Sequence, residues 1–560
     1  MRQADEDSAE DDREVETPSG WADRNVWPRV GTLARSRVAQ RFLPGSIRQG
    51  LFTAGGLREI RALDRKINEE GRIPDDEEVT IESVWVSECY PPSYLDGLVS
   101  GLEALHVGRQ FGADESAADI VRRYRSGAYA GGTANLGLFT RASRSGFGDY
   151  VHTDLPAIVT RASGWLENVT PSLTTITIQF EMTDDAGKAL QHALRADYRT
   201  KAKKRRNGWL YADPDNQRRE AMQKALDDLN IECSGWLRRH FPGAFAGGLL
   251  GGDYPSCAFL TTKQCVPLAR TKNLVKWLWV AELDAAHETW DSADWPGLHL
   301  RVPDGDRGRH HWLLAGRRGD FLSDPDDQLQ RSYGGVTRGG WLNRINNEMS
   351  LTLMLHATDS LVLGMHEAVA RSRDTMGAKT TRKWNLQRLD ALRADVTSFV
   401  RDVEPVASEL GNPEWRTTER ATFRPGANHI RSLIRESDLK RAHEKATSEA
   451  RDSISSAIGG KRRRSKTTSV IAVVDPDPLP TLTKQQADTI RYRANDLLAA
   501  ERQHRDALAT VSTLVAAGES VRLDRWVFVL TLVLGAVAVI AALPQIAAIV
   551  SAVLRQLGLD

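Results

Sequence analysis

The sequence predicts an α+β N-terminal body followed by an α-helical region, a coiled-coil-like stalk and a single C-terminal transmembrane helix. Three patterns carry this reading: period-two alternation at Thr174–Met182, a heptad of positions from Ile490 to Val515, and 28 consecutive uncharged residues from Val527 to Leu554. A chain of 560 residues is too long for one ordinary core. The predicted divisions are an acidic tail over 1–20, the α+β body over 21–350, helices over 351–458, a basic, proline-containing linker over 459–483, the stalk over 484–520 and the membrane helix over 526–554.

Charge narrows the choice of partner. The chain has 75 basic and 74 acidic residues, so no global field gathers nucleic acid or acidic substrates. With 27% charged and 41% hydrophobic residues it has the means to build a packed interior. Cys89, Cys233, Cys257 and Cys265 form no CxxC unit, and the sequence predicts ordinary free thiols in a reducing compartment. The opening MRQADEDSAEDDREVE is acidic where a secretory signal needs a basic start and an apolar run, and it reads as a solvated tail.

Within the body, Thr174, Ile176, Ile178, Phe180 and Met182 alternate with Thr175, Thr177, Gln179 and Glu181. That pattern predicts a half-buried strand. Asp184 and Asp185 then open a helix running through Arg195, and Asp213 before Pro214 opens a second that stops before Pro242. Further strands are expected at Val79–Val86, Cys257–Thr262, Val275–Val280, Leu298–Val302 and Trp312–Ala315, the last two as a hairpin. Helices are expected from Leu351 to Ile458 with breaks at Pro405, Pro413 and Pro425, and a short strand at Ser469–Val474.

Catalytic and metal motifs are sparse. The stretch GAFAGGLLGGDY lacks the GK[ST] of a phosphate loop and reads as a flexible loop. Neither GxSxG nor HExxH occurs. His356, Asp359 and Glu367 share a helix face and read as ordinary polar surface, while His310 and His311 point to opposite sides of an expected strand. Glu282, Asp284, His287 and Asp291 read as a solvated face. No cofactor, metal site or catalytic residue is predicted. Two basic runs are candidates for anionic lipid or nucleic acid: Lys203, Lys204, Arg205 and Arg206 within KAKKRR, and Lys461, Arg462, Arg463, Arg464 and Lys466 in KRRRSK.

The stalk seam comprises Ile490, Ala494, Leu497, Glu501, His504, Leu508, Val511 and Val515 at alternating steps of four and three. Such a seam buries itself against a partner chain or against an earlier helix of this one. Glu501 and His504 interrupt it, and Gly518 is expected to loosen the helix before the bilayer. The uncharged run suffices for one crossing of a bilayer and not two, with a bend or tilt near Pro544. Arg522 and Arg525 precede it with Trp526, while only Arg555 follows, which predicts a single-pass protein of the cell membrane with its N-terminal bulk in the cytoplasm. Thr531, Gly535, Ala538 and Ala542 form a small-residue face suited to helix association.

The resulting expectation is a membrane-anchored sensing or interaction protein, gathered as a homo-oligomer by stalk and membrane helix. Its partners would be the bilayer, anionic lipids and a protein or small molecule. Over about its last 75 residues the chain also resembles the stalk-and-membrane end of CorA-type ion channels, which implies an oligomeric pore or membrane-perturbing effector as the alternative. The GMN signature and room for the second span of that family are both missing here. A membrane-tethered enzyme of unknown reaction is the third alternative.

Overall fold

The computed structural model describes residues 63–107, 116–126, 133–141, 150–205, 208–268, 275–284, 289–302, 311–322, 337–378, 401–412, 415, 423–426 and 481–556. It has a mixed α/β N-terminal region built on a ten-stranded sheet, long helices after it, and one long apolar C-terminal helix. The chain divides into two compact units. One comprises residues up to Leu361 together with Pro413–Arg491, the other Val362–Asn412 together with Tyr492–Asp560.

The first unit holds the sheet. Its strands are β1 (Val79–Tyr90), β2 (Thr133–Thr140), β3 (Tyr150–His152), β4 (Val159–Thr170), β5 (Leu173–Met182), β8 (Ser256–Thr262), β9 (Thr289–Ser292), β10 (Leu298–Arg301), β11 (His311–Arg317) and β12 (Phe423–Pro425), while β6 (Lys201–Arg205) and β7 (Gly208–Ala212) pair apart from it. The spatial order is β12-β9-β10-β11-β8-β1-β5-β4-β2-β3, antiparallel except at β11/β8 and β2/β3. Helices here are α1 (Asp64–Gly71), α2 (Leu95–Ala104), α3 (Ala117–Arg125), α4 (Lys188–Arg195), α5 (Pro214–His240) and the short α6 (Lys276–Val280). Two long helices follow: α7 (Arg338–Ala378) and α8 (Leu482–Gln556).

Alternation sends successive side chains of each strand to opposite faces of the sheet. On one face Phe139 and Phe180 meet Trp236 of α5 edge-on, with ring centroids 5.4 and 5.6 Å apart. Asp213 starts that helix as expected: its carboxylate accepts the Asn216 amide at 2.8 Å, and Pro214 follows. On the other face, Trp85, Phe259, Trp312 and Leu314 pack with Trp341, Ile345, Met349 and Leu353 of α7. Trp85 Nε1 donates to Asn346 Oδ1 at 2.7 Å, so the helix is tied to the sheet by a buried polar contact as well.

Several expectations change. The strand at 173–182 is buried on both faces, because its Thr and Gln side chains pair with neighbours and do not meet water: Ser87 and Thr177 hydroxyls lie 2.9 Å apart. Residues Lys276–Val280 form a helical turn in place of a strand, which lets Trp277, Leu278 and Val280 all be buried. The hairpin of Leu298–Arg301 with His311–Arg317 forms. The helix after Asp184 and Asp185 starts at Lys188 with Gly187 at its cap and no capping side chain, Asp185 instead pairing with Lys188. The body does not stop at residue 350: α7 begins at Arg338 and runs through that position, and β12 within the expected helical region pairs with β9. The strand expected at Ser469–Val474 lies outside the described residues.

In the second unit, residues 401–411 are helical straight across Pro405, where a break was expected. One missing ladder bond is offset there by burial of Val403, Val406, Ala407 and Leu410. Ser372 Oγ lies 3.0 Å from His504 Nε2, and Arg505 bridges Glu501 at 2.7 Å and Glu404 at 3.1 Å. Stalk and membrane segment are one helix, unbroken at Gly518. Its stretch from Ser520 to Ala547 is long and apolar enough to cross a membrane and has no buried residues, beginning seven residues before the uncharged run and ending seven before its end.

Candidate functional site

The strongest candidate is a polar cavity on the α7 side of the sheet. Alternation along β4 sets Arg161, Ser163 and Trp165 on one face, and β5 sets Gln179 and Glu181 beside them through the pairs Arg161↔Glu181 and Ser163↔Gln179. From β2 come Asn135, Gly137 and Leu138, with a bulge between Asn135 and Gly137 that the positive φ of Gly137 accommodates. The start of α7 supplies Thr337, Gly339, Gly340 and Asn343. Together these line an open-mouthed cavity of about 430 Å³, within the range of small-molecule sites.

Each wall is fixed by its own bonds. Arg161 Nε donates to Glu181 Oε1 at 2.6 Å. Burial pushes the Glu181 carboxyl above the usual carboxylate range, and the Arg161 guanidinium draws it partly back. Ser163 Oγ donates to Gln179 Oε1 at 3.3 Å, and Gln179 Nε2 to Ser83 Oγ at 3.4 Å. Thr337 caps α7 by accepting the Gly340 amide at 3.1 Å. Arg338 anchors the same helix start on the sheet through the buried Glu82 at 2.7 Å and the Met182 carbonyl at 3.2 Å. A Cβ at Gly339 would stand 2.2 Å from Arg161 Nη2, so a side chain there would push the guanidinium out of its present place.

The site therefore presents one neutralised ion pair, three amides, two hydroxyls and an indole, converging from segments separated by up to two hundred residues. These groups are donors and acceptors of hydrogen bonds set around one space. A second cavity of about 490 Å³ lies along one side of α5, where Asp227, Asn230, Ser234 and Arg238 face Tyr254 and His311. His311 Nδ1 is 2.6 Å from Ser256 Oγ and 3.3 Å from Asn230 Nδ2. Under it, Glu88 accepts the amides of Cys89, Phe245 and Ala246 at 2.9–3.0 Å, and burial raises its carboxyl to about 7. The glycine-rich stretch is thus tied down on Glu88, contrary to its reading as a flexible loop.

Among the described residues, none of the candidate site residues named from the sequence lines the first cavity, although Gln179 and Glu181 of the expected strand do. Lys203, Lys204 and Arg205 sit on β6 in register with Leu210, Trp209 and Gly208, whereas Arg206 and all of Lys461–Lys466 lie outside the described residues. His356 stacks on Trp312 at 4.1 Å. Glu282 pairs with Arg301 at 3.0 Å, and Asp291 with His299 at 2.7 Å, so the expected solvated face is split into separate pairs. Of the seam, Ile490, Ala494, Leu497, Glu501, His504 and Leu508 are buried within one chain, and Val511 is half-buried. In the small-residue face, Thr531 donates to the Val527 carbonyl at 2.7 Å, and a Cβ at Gly535 would meet no atom within 4 Å. Cys89, Cys233, Cys257 and Cys265 are free thiols.

The signal that could have found the cavity is the polar half of the alternation. Arg161 and Ser163 repeat it one strand earlier, and the Gly339-Gly340 pair in the first turn of α7 marks a close approach. No known protein family, no curated protein and no solved structure matches this chain, so geometry alone carries the functional reading.

Proposed function

We propose that the chain is a membrane-anchored, cytoplasmic ligand-sensing protein whose body receives a small molecule in the cavity between β2, β4, β5 and the start of α7. The observation that supports the binding role is the convergence of Arg161, Glu181, Gln179, Ser163, Asn135 and Asn343 on one concave space, its ion pair and the Ser163–Gln179 bond holding two of its walls in place. Anchoring is supported by the exposure on every side of Leu530, Val533, Leu534, Val537, Ile540 and their neighbours, a surface that water does not tolerate. Arg522 and Arg525 ahead of the span favour a cytoplasmic body.

Self-association stands on narrower ground than the seam suggested. The seam's apolar positions from Ile490 to Leu508 are already covered within one chain, which leaves the face of Thr531, Gly535, Ala538 and Ala542 as the main support. A pore gains nothing, since the Thr531 hydroxyl is bonded to its own helix. To test the binding role, full-length protein reconstituted in lipid nanodiscs is released into a mass spectrometer. A small molecule should accompany wild type and be missing from Gly339→Val, whose side chain displaces Arg161. Equal recovery from both proteins would contradict the reading.

A further inference from the structure

We infer that the ligand of this cavity is an uncharged ring bearing neighbouring hydroxyl groups, such as a sugar or the ribose of a nucleoside. The inference rests on the binding role just proposed and adds its chemistry. Charge comes first. Arg161 is the one cation lining the space among the described residues, and its guanidinium is already held by Glu181 at 2.6 Å. An anionic ligand would have to separate this pair or lie beside Glu181, whose side chain is only 12% exposed, and a carboxylate left there without its partner is costly. A cationic ligand meets the guanidinium itself. A neutral ligand leaves the pair intact.

The remaining groups define which neutral ligand fits. Asn135 and Asn343 each carry an amide donor and acceptor a fixed distance apart, and the Thr337 hydroxyl can donate while it accepts the Gly340 amide; the buried Gln179 and Ser163, bonded to each other and to Ser83, fix the wall behind them. Adjacent hydroxyls on a ring make the same paired demand, donating and accepting from neighbouring carbons. A paired guanidinium and carboxylate adds a donor edge and an acceptor edge with no net charge. Trp165 supplies an apolar wall from the same strand face, two alternations from Arg161, so the space runs about 13 Å from indole to ion pair. An aliphatic ligand would leave the amides unmatched inside a concave space, at a cost of about 1–3 kcal/mol for each orphaned group.

The test uses the full chain in nanodiscs and isothermal titration with four probes: methyl glucoside, adenosine, and the phosphorylated counterparts of each, glucose phosphate and adenosine monophosphate. One of the two neutral probes should bind, which decides between saccharide and nucleoside, and its phosphorylated form should bind roughly tenfold more weakly or worse. Trp165→Leu and Asn343→Ala should each weaken the neutral probe by about tenfold, and the second keeps the test valid if the first does not fold. Tighter binding of either phosphorylated probe overturns the inference and leaves the cavity as a binding site. Failure of both neutral probes also overturns it, while copurification from cells decides the binding role separately.

Discussion

Glu88 shows how far a single buried carboxyl can set solution behaviour. Its ordinary value of 4.5 is lifted to about 7 by burial, against the pull of three amides. The folded state therefore holds this proton more tightly than the unfolded chain does. Stability from Glu88 is full below about pH 4.5 and falls as pH rises to about 7, by about 3 kcal/mol at most. Denaturation of Glu88→Gln should lose this slope between about pH 4.5 and 7, and an unchanged slope would refute the assignment. Arg338 offers a second case, because Glu82 is fully buried and Arg338 holds it. Arg338→Met should cost roughly 3 kcal/mol, and adding Glu82→Gln should recover much of it, as measured by the double-mutant cycle. Neither residue was readable in advance. The sequence marks Asp213 because a cap acts within three residues, whereas Glu82 and Arg338 meet across 256 positions.

Elements were legible where their signal is local. The strand at β5, the start of α5 and the hairpin of β10 with β11 follow from alternation and punctuation in short windows. The face of β5 that carries Gln179 and Glu181 was misjudged, because polar alternation looks the same whether it meets water or a covered polar cavity. The seam on α8 was legible as a buried stripe but silent on what buries it. Its middle now makes a prediction. His504 is buried, its Nδ1 has no partner among the described residues, and desolvation lowers its pKa below the ordinary 6.5, with Glu501 opposing and Arg373 reinforcing the shift. A histidine held neutral contributes stability above its unfolded value, and that stability is lost as pH falls below it. Hydrogen-exchange protection in the second unit should fall below about pH 6.5, relative to the intrinsic exchange rate at each pH, and His504→Leu, which adds an apolar residue to the seam, should raise protection and remove the pH dependence. Exchange that ignores both changes would exclude this role for His504. Ser372 and Glu404 with Arg505 are the other polar groups of this bundle named in the second unit.

For the whole molecule, a ten-stranded sheet carries the candidate site while a separate helical unit leads into the apolar helix. The long apolar helix was the most legible feature of all, since uncharged length needs no tertiary knowledge. The cavity was the least, since its walls come from β2, β4, β5 and α7 and exist only once the chain has closed. The central claim is that this body is held to a bilayer by the helix through Ser520–Ala547. Washing membranes from cells at alkaline pH tests it most directly, comparing the full chain with one ending at Ala517. The full chain should stay with the lipid pellet and the shortened one should move to the supernatant. A full chain released into the supernatant together with the shortened form would contradict the account.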